Sequence, residues 1–187
     1  VRGGTYNETV VIGKQLRLWG DSAATTVIRA ATGSDGIQVT TSDTVEVRGV
    51  TVTGAGFHGI SAVGDGTRGP VLVISQVVVD SSSRRGLNAN RVTALTVTRS
   101  TFRNNGYEGV RVADRAAVAS LTDVLVQGNG GNGIRLERGR AVLTRVTIGG
   151  TTVRSDGRTY DGSALVALDT SELRITESTF RADTASS

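Results

Sequence analysis

The sequence predicts an all-β fold: a single-stranded right-handed parallel β-helix, a three-sided solenoid of about 6–7 coils with roughly 23 residues each. Three observations predict it. A short glycine-led phrase recurs at near-constant spacing, a longer apolar phrase recurs between its copies, and the composition suits strands and turns.

The short phrase reads Gly36-Ile37-Gln38-Val39, Gly59-Ile60-Ser61-Ala62, Gly86-Leu87-Asn88-Ala89, Gly109-Val110-Arg111-Val112 and Gly133-Ile134-Arg135-Leu136. Its glycines are 23, 27, 23 and 24 residues apart, and a degenerate copy follows at Ala164-Leu165-Val166-Ala167. Alternate residues of a strand point to opposite sides, so the second and fourth positions face a core and the third faces outward.

The longer phrase has the form apolar-x-apolar-x-x-apolar-x-apolar. It runs Val45 to Val52, Leu72 to Val79, Leu95 to Phe102, Ala119 to Val126, Ala141 to Ile148 and Leu173 to Phe180. The two-residue step in its middle breaks the alternation and predicts a bend between two short strands. Each repeat therefore holds three strands. One coil cannot bury its apolar side alone, whereas stacked coils share a continuous core. Phe102 and Phe180 fall on inward positions and are expected to stack in that core. Ahead of the repeats, Tyr6–Ile12, Leu16–Leu18 and Thr26–Ile28 each read as a strand of an opening coil, with Trp19 in a turn or capping role.

Composition bounds the rest. The chain has 187 residues, 25 glycines, one proline and no cysteine. Length suits one domain, 1–187, with an inserted loop at 149–163. Without cysteine there is neither a disulfide framework nor a thiolate metal site. The net charge of +4 is carried almost wholly by arginine, too little to imply nucleic acid. No apolar stretch is long enough for a membrane span. The opening Val1-Arg2-Gly3-Gly4 reads as the middle of an element, so the expectation is a trimmed piece of a longer chain.

The glycine-led copies, the paired valine phrase, and Asn104-Asn105 and Asn129 in the turn between them resemble the repeats of pectin-lyase-like right-handed β-helix proteins. Gly3-Gly4-Thr5-Tyr6-Asn7-Glu8 with Gly20-Asp21 is similar to their first coil. The resemblance implies an extracellular, periplasmic or cell-surface protein. It also implies a substrate groove along the sheet that carries the glycine-led phrase. It does not choose among lyases, hydrolases, epimerases, tailspikes and adhesins, because fold alone does not decide function.

On that sheet the outward positions are Gln38, Ser61, Asn88, Arg111, Arg135 and Val166, followed by Thr40, Val63, Asn90, Ala113, Glu137 and Leu168. Before the glycines run Asp35, His58, Arg85, Glu108 and Asn132, with Phe57 and Tyr107 one residue earlier. Arg111 and Arg135 fall on adjacent coils, where a bound carboxylate would offset their repulsion, and guanidinium groups match carboxylates in shape and charge. Phe57 and Tyr107 offer flat faces to a sugar ring. His58, the only histidine, is the sole candidate for acid–base work near neutrality, though a lone histidine in a glycine-rich turn more often serves only the turn. Tyr160 lies in the inserted loop, which either walls the groove or is an excursion with no role. The competing reading of the same residues is a surface network in which Glu108, Asp114 and Glu137 neutralise the arginines.

The motifs of catalytic relatives are missing. No Asp-Pro-His run occurs, Pro70 lies elsewhere, and Arg111 stands where epimerases carry aspartate. The paired aspartates of polygalacturonases and the Gln-Asp motif of pectin methylesterases are absent too. Asp114 and Glu137 beside Arg111 and Arg135 only loosely echo a calcium-dependent lyase. No cofactor is expected, and calcium would need six to eight oxygen ligands that the sequence does not assemble. The leading expectation is thus a domain that binds acidic polysaccharide through Phe57, His58, Arg85, Asn88, Tyr107, Glu108, Arg111, Arg135, Glu137 and Tyr160. The alternative is a structural or adhesive scaffold with a protein contact on the outward Thr/Val face (Val73, Val78, Leu125 and Val142 among threonines). A lyase or epimerase ranks third.

Overall fold

Short strands and tight corners make up the chain in the computed structural model, which describes residues 1–65, 67–114, 118–151 and 162–181. The first coils hold β1 (Gly4–Tyr6), β2 (Val10–Ile12), β3 (Leu16–Trp19), β4 (Thr26–Arg29), β5 (Ile37–Val39), β6 (Thr44–Arg48) and β7 (Thr51–Thr53). The middle coils hold β8 (Ile60–Val63), β9 (Val71–Ser75), β10 (Val78–Asp80), β11 (Leu87–Asn90), β12 (Ala94–Thr98) and β13 (Thr101–Arg103). The last hold β14 (Val110–Ala113), β15 (Ala119–Gln127), β16 (Ile134–Glu137), β17 (Arg140–Gly149), β18 (Leu165–Leu168), β19 (Glu172–Thr176) and β20 (Thr179–Phe180). Among the described residues there is no helix.

The strands wind through three faces. Face 1 is a seven-stranded sheet in the order β18-β16-β14-β11-β8-β5-β2, built from the glycine-led phrases. Face 2 holds β3, β6, β9, β12 and β19; face 3 holds β1, β4, β7, β10, β13 and β20. The two merge into one 13-stranded sheet because β15 and β17 run unbroken from one face to the other. All of these ladders are parallel, as a solenoid requires.

The glycine of the short phrase has a steric cause. A Cβ on Gly59 would lie 2.1 Å from Val79 Cγ1, and one on Gly109 would lie 2.4 Å from Val126 Cγ1. Each glycine thus lets the chain enter face 1 directly over the last valine of face 3. The valine phrase explains itself equally well: Val45, Val47, Val50 and Val52 are all fully buried, as are Leu72, Ile74, Val77 and Val79. Each such side chain contributes about 1.5–3 kcal/mol by leaving water.

The mid-phrase bend is a left-handed residue. Gly49, Gln76, Arg99, Asp123, Arg145 and Glu177 all have φ between 48° and 64° at that corner. A side chain in this conformation costs roughly 1–2 kcal/mol. The corner offsets this by keeping its ladder: Gln76 N–H donates to Thr98 O at 3.0 Å, and Arg99 N–H to Thr122 O at 3.0 Å. At the corner between faces 3 and 1, buried asparagines replace the sheet. Asn105 Oδ1 accepts from Ser82 N–H at 3.1 Å, while Asn129 Oδ1 accepts from both Asn105 N–H and Nδ2–H, at 3.0 and 2.9 Å. Asn129 Nδ2–H in turn donates to Phe102 O at 3.1 Å.

Three expectations need correction. Tyr6–Ile12 is not one strand but two, β1 and β2, which belong to different faces. Phe102 is fully buried, but Phe180 is 40% exposed, because no further described coil stacks on β20. Ala113, expected to face outward, is fully buried at the end of β14.

Candidate functional site

Strand register builds the first row of the site. Val11, Gln38, Ser61, Asn88, Arg111, Arg135 and Val166 are direct neighbours across face 1 in that order. Adjacent members sit about 4.8 Å apart, the spacing between strands. Ser61 and Asn88 are almost covered, whereas the Arg111 and Arg135 side chains keep 17% and 24% of their surface. Arg111 Nη2 lies 2.6 Å from Glu137 Oε2, and Arg135 Nε donates to Glu137 Oε1. Arg111 also reaches Asn88 Oδ1 at 3.4 Å. Two guanidinium groups thus share one carboxylate, leaving the trio at +1. Burial would raise the Glu137 pKa, but the hydrogen bonds and charges of Arg111 and Arg135 outweigh it and hold it low.

A second row runs along the corner that feeds face 1. Asp35 Oδ1 accepts from His58 N–H at 2.9 Å, His58 Nδ1 accepts from Arg85 N–H at 3.3 Å, and Arg85 Nε donates to Glu108 Oε2 at 2.7 Å. One chain of contacts thereby links four successive coils. Glu108, expected at an open edge, is fully buried, and its Oε1 has no hydrogen-bond partner. The corner closes over it, and the mostly buried side chain of Arg85, 20% exposed, is its link to the surface. Asn132 is buried as well, its Oδ1 accepting from Ser163 N–H at 3.1 Å.

His58 is lowered to about 4, first by burial and then by the charges of Arg85, Arg84 and Arg111. At neutral pH the ring is therefore uncharged. Its Nδ1 is occupied as an acceptor, so it holds its proton on Nε2 and is a weak base. The influence of Arg111 on this ring joins the two rows electrostatically.

Of the aromatics, Phe57 is exposed, but the Arg84 guanidinium lies 4.6 Å from its ring centre and covers one face. Tyr107 is half-buried next to Glu108. Tyr160, with most of the 149–163 loop, lies outside the described residues. The structure therefore brings Asn88, Arg111, Arg135 and Glu137 together on face 1, and His58, Arg85 and Glu108 at its edge. Among the described residues, no group of three or more His, Asp or Glu side chains is placed to hold a metal ion, and no helix is long and apolar enough to cross a membrane.

Sequence reasoning missed two features. Trp19, at the end of β3, lies beside Arg17 and Arg48, whose guanidinium carbons are 5.6 and 6.0 Å from its ring centre. At the corner between faces 1 and 2 a cleft opens between Arg68 and Arg91. Its signal was present in the sequence: Arg91, Asp114 and Arg138 each stand five residues after a phrase glycine.

A family model described as right handed beta helix region matches residues 35–185. Comparisons with curated proteins and with solved structures gave no match.

Proposed function

The chain belongs to the right-handed β-helix family, and from that premise we propose that it is a module, working outside the cytoplasm, that binds acidic polysaccharide along face 1. The observation that carries this reading is the Arg111–Glu137–Arg135 trio. Glu137 fixes both guanidinium groups and consumes only part of their hydrogen-bonding capacity. Each guanidinium has five N–H donors. Arg111 uses two of its groups on Asn88 and Glu137, and Arg135 uses its Nε–H on Glu137. What remains is a fixed, positively charged row of donors in steps of about 4.8 Å, suited to the repeated carboxylates of a uronate chain. Preorganisation lowers the entropy lost on binding. His58, neutral and engaged at Nδ1, supplies an Nε2–H donor to a sugar hydroxyl and not a strong base. Binding without turnover is therefore the reading that the geometry supports best.

A scaffold role is the second reading, and the outward row of face 3 favours it. Thr51, Val78, Thr101, Leu125 and Thr147 stand in register, with Leu125 37% exposed. Arg111→Gln with Arg135→Gln separates the two. It removes both charges and leaves amide donors near Glu137. Losing charge-assisted hydrogen bonds should weaken polygalacturonate binding by roughly 10- to 100-fold, with an unchanged circular dichroism spectrum. Unaltered binding would shift the assignment to the scaffold.

A further inference from the structure

Several arginines near the centre of the solenoid have a carboxylate partner: Arg85 has Glu108, Arg103 has Asp80, Arg111 and Arg135 share Glu137, and Arg145 has Asp123. Arg48, Arg68, Arg84, Arg91 and Arg99 have no described carboxylate within 4.0 Å of the guanidinium, and of these Arg68 and Arg91 line one cleft of about 670 Å³. That volume falls within the range of ordinary ligand sites.

The cleft lies at the corner where face 1 turns into face 2. One wall is the longer loop that makes one repeat 27 residues instead of 23 or 24. Asp65 Oδ1 accepts from Thr67 N–H, Thr67 Oγ1–H and Arg68 N–H, each at 2.8 Å, which fixes the backbone under Arg68. Those three bonds, all to Oδ1, lower the Asp65 pKa to about 2, chiefly through the Arg68 N–H. The other wall is the left-handed residues that end successive strands of face 1: Arg91 at φ 54°, Asp114 at 56° and Arg138 at 51°. Asp114 is already bonded to Arg138. The charged side chains lining the cleft, three arginines and one aspartate, sum to +2.

This corner also adjoins the polysaccharide row. Asn88 and Arg91 are three residues apart along one strand and its turn, about 10 Å at strand rise. A short acidic oligosaccharide on Arg111 would reach across to the cleft. We propose that the corner cleft is a second anion subsite, where Arg68 and Arg91 bind a carboxylate of the acidic chain whose neighbouring sugars lie on Arg111 and Arg135. The subsite rests on the reading of face 1 as a polysaccharide-binding surface.

Titrating the 15N-labelled protein with trigalacturonate, and separately with maltotriose, tests both. The expected result is saturable amide shifts at Arg68, Arg91 and Val92 together with shifts at Asn88, Arg111 and Arg135, for trigalacturonate only. Arg68→Gln with Arg91→Gln should abolish the first set, keep the second and weaken affinity about tenfold. Shifts on face 1 alone overturn the subsite and leave the face 1 reading intact. Shifts at the cleft alone support it as an anion site and overturn face 1. No shifts, or equal shifts with maltotriose, overturn both.

Discussion

At the residue scale, burial and three arginines set the chemistry of His58. Its pKa falls to about 4, against 6.5 for a free side chain. The sign of the consequence follows from proton counting. Above pH 6.5 the ring is neutral in both folded and unfolded chains, so its contribution to stability is complete. Between 6.5 and 4 the unfolded chain takes up a proton that the folded chain refuses, and stability falls as the pH drops. Asp80, Asp123 and Glu137 are all held low by their partners, and their contributions fade at lower pH still. The urea midpoint should therefore decline from pH 7 to 4.5, and His58→Asn, which keeps an acceptor near Nδ1, should flatten that decline. An equal slope in the variant would show that His58 is not the group responsible. The chain itself revealed which residues lie side by side, because register fixes the order Asn88, Arg111, Arg135. It also offered Glu137 as a neutralising partner for the arginines, but not the bond by which each guanidinium takes its own Glu137 oxygen, nor that Glu108 is buried. Those outcomes depend on how long side chains cross between coils and how the corner packs over them, and neither leaves a periodic trace.

At the element scale, the glycine-led phrase is legible because it is forced. Each of the five glycine-led copies packs its glycine beside the final valine, isoleucine or phenylalanine of face 3, where a Cβ would come within 2.1–2.6 Å of a neighbouring atom; the degenerate copy alone carries a Cβ, on Ala164. Gly59→Ala would place its Cβ 2.1 Å from Val79 Cγ1 and 2.8 Å from Gly86 O. Such overpacking should cost about 2–3 kcal/mol and lower the melting temperature by roughly 4–12 °C. Gly54→Asn is the control. Gly54 has φ 68° and nothing within 4 Å of a Cβ, and Asn104 already occupies the matching corner in a left-handed conformation. That variant should melt within about 2 °C of wild type, as asparagine tolerates this region. Equal damage from both changes would contradict the steric account. The bend in the longer phrase was legible as a break in alternation. Its left-handed geometry was not, because Gln76, Arg99, Asp123, Arg145 and Glu177 span four side-chain types, none of which marks the left-handed region in the way glycine does.

At the scale of the whole molecule, each coil depends on its neighbours, so stability need not be uniform along the axis. Leu87, Leu95 and Phe102 in a middle coil are buried, whereas Ile175 and Phe180 in the coil of β18–β20 are 39% and 40% exposed. Amide exchange should accordingly be faster in β18–β20 than in β11–β13, and equal protection would contradict this gradient. The same dependence explains why Phe180 fits the inward pattern without being buried: periodicity gives direction, and only a stacked neighbour gives cover. The proposed binding row belongs to this scale too, since three successive coils deliver Asn88, Arg111, and Arg135 with Glu137 to one surface. The most direct test of that row is electrophoresis of the purified protein through gels containing polygalacturonate, alginate or a neutral glucan. Retardation is expected in the acidic gels only, relieved by added salt as charged contacts are screened. Equal mobility in all three gels would contradict it.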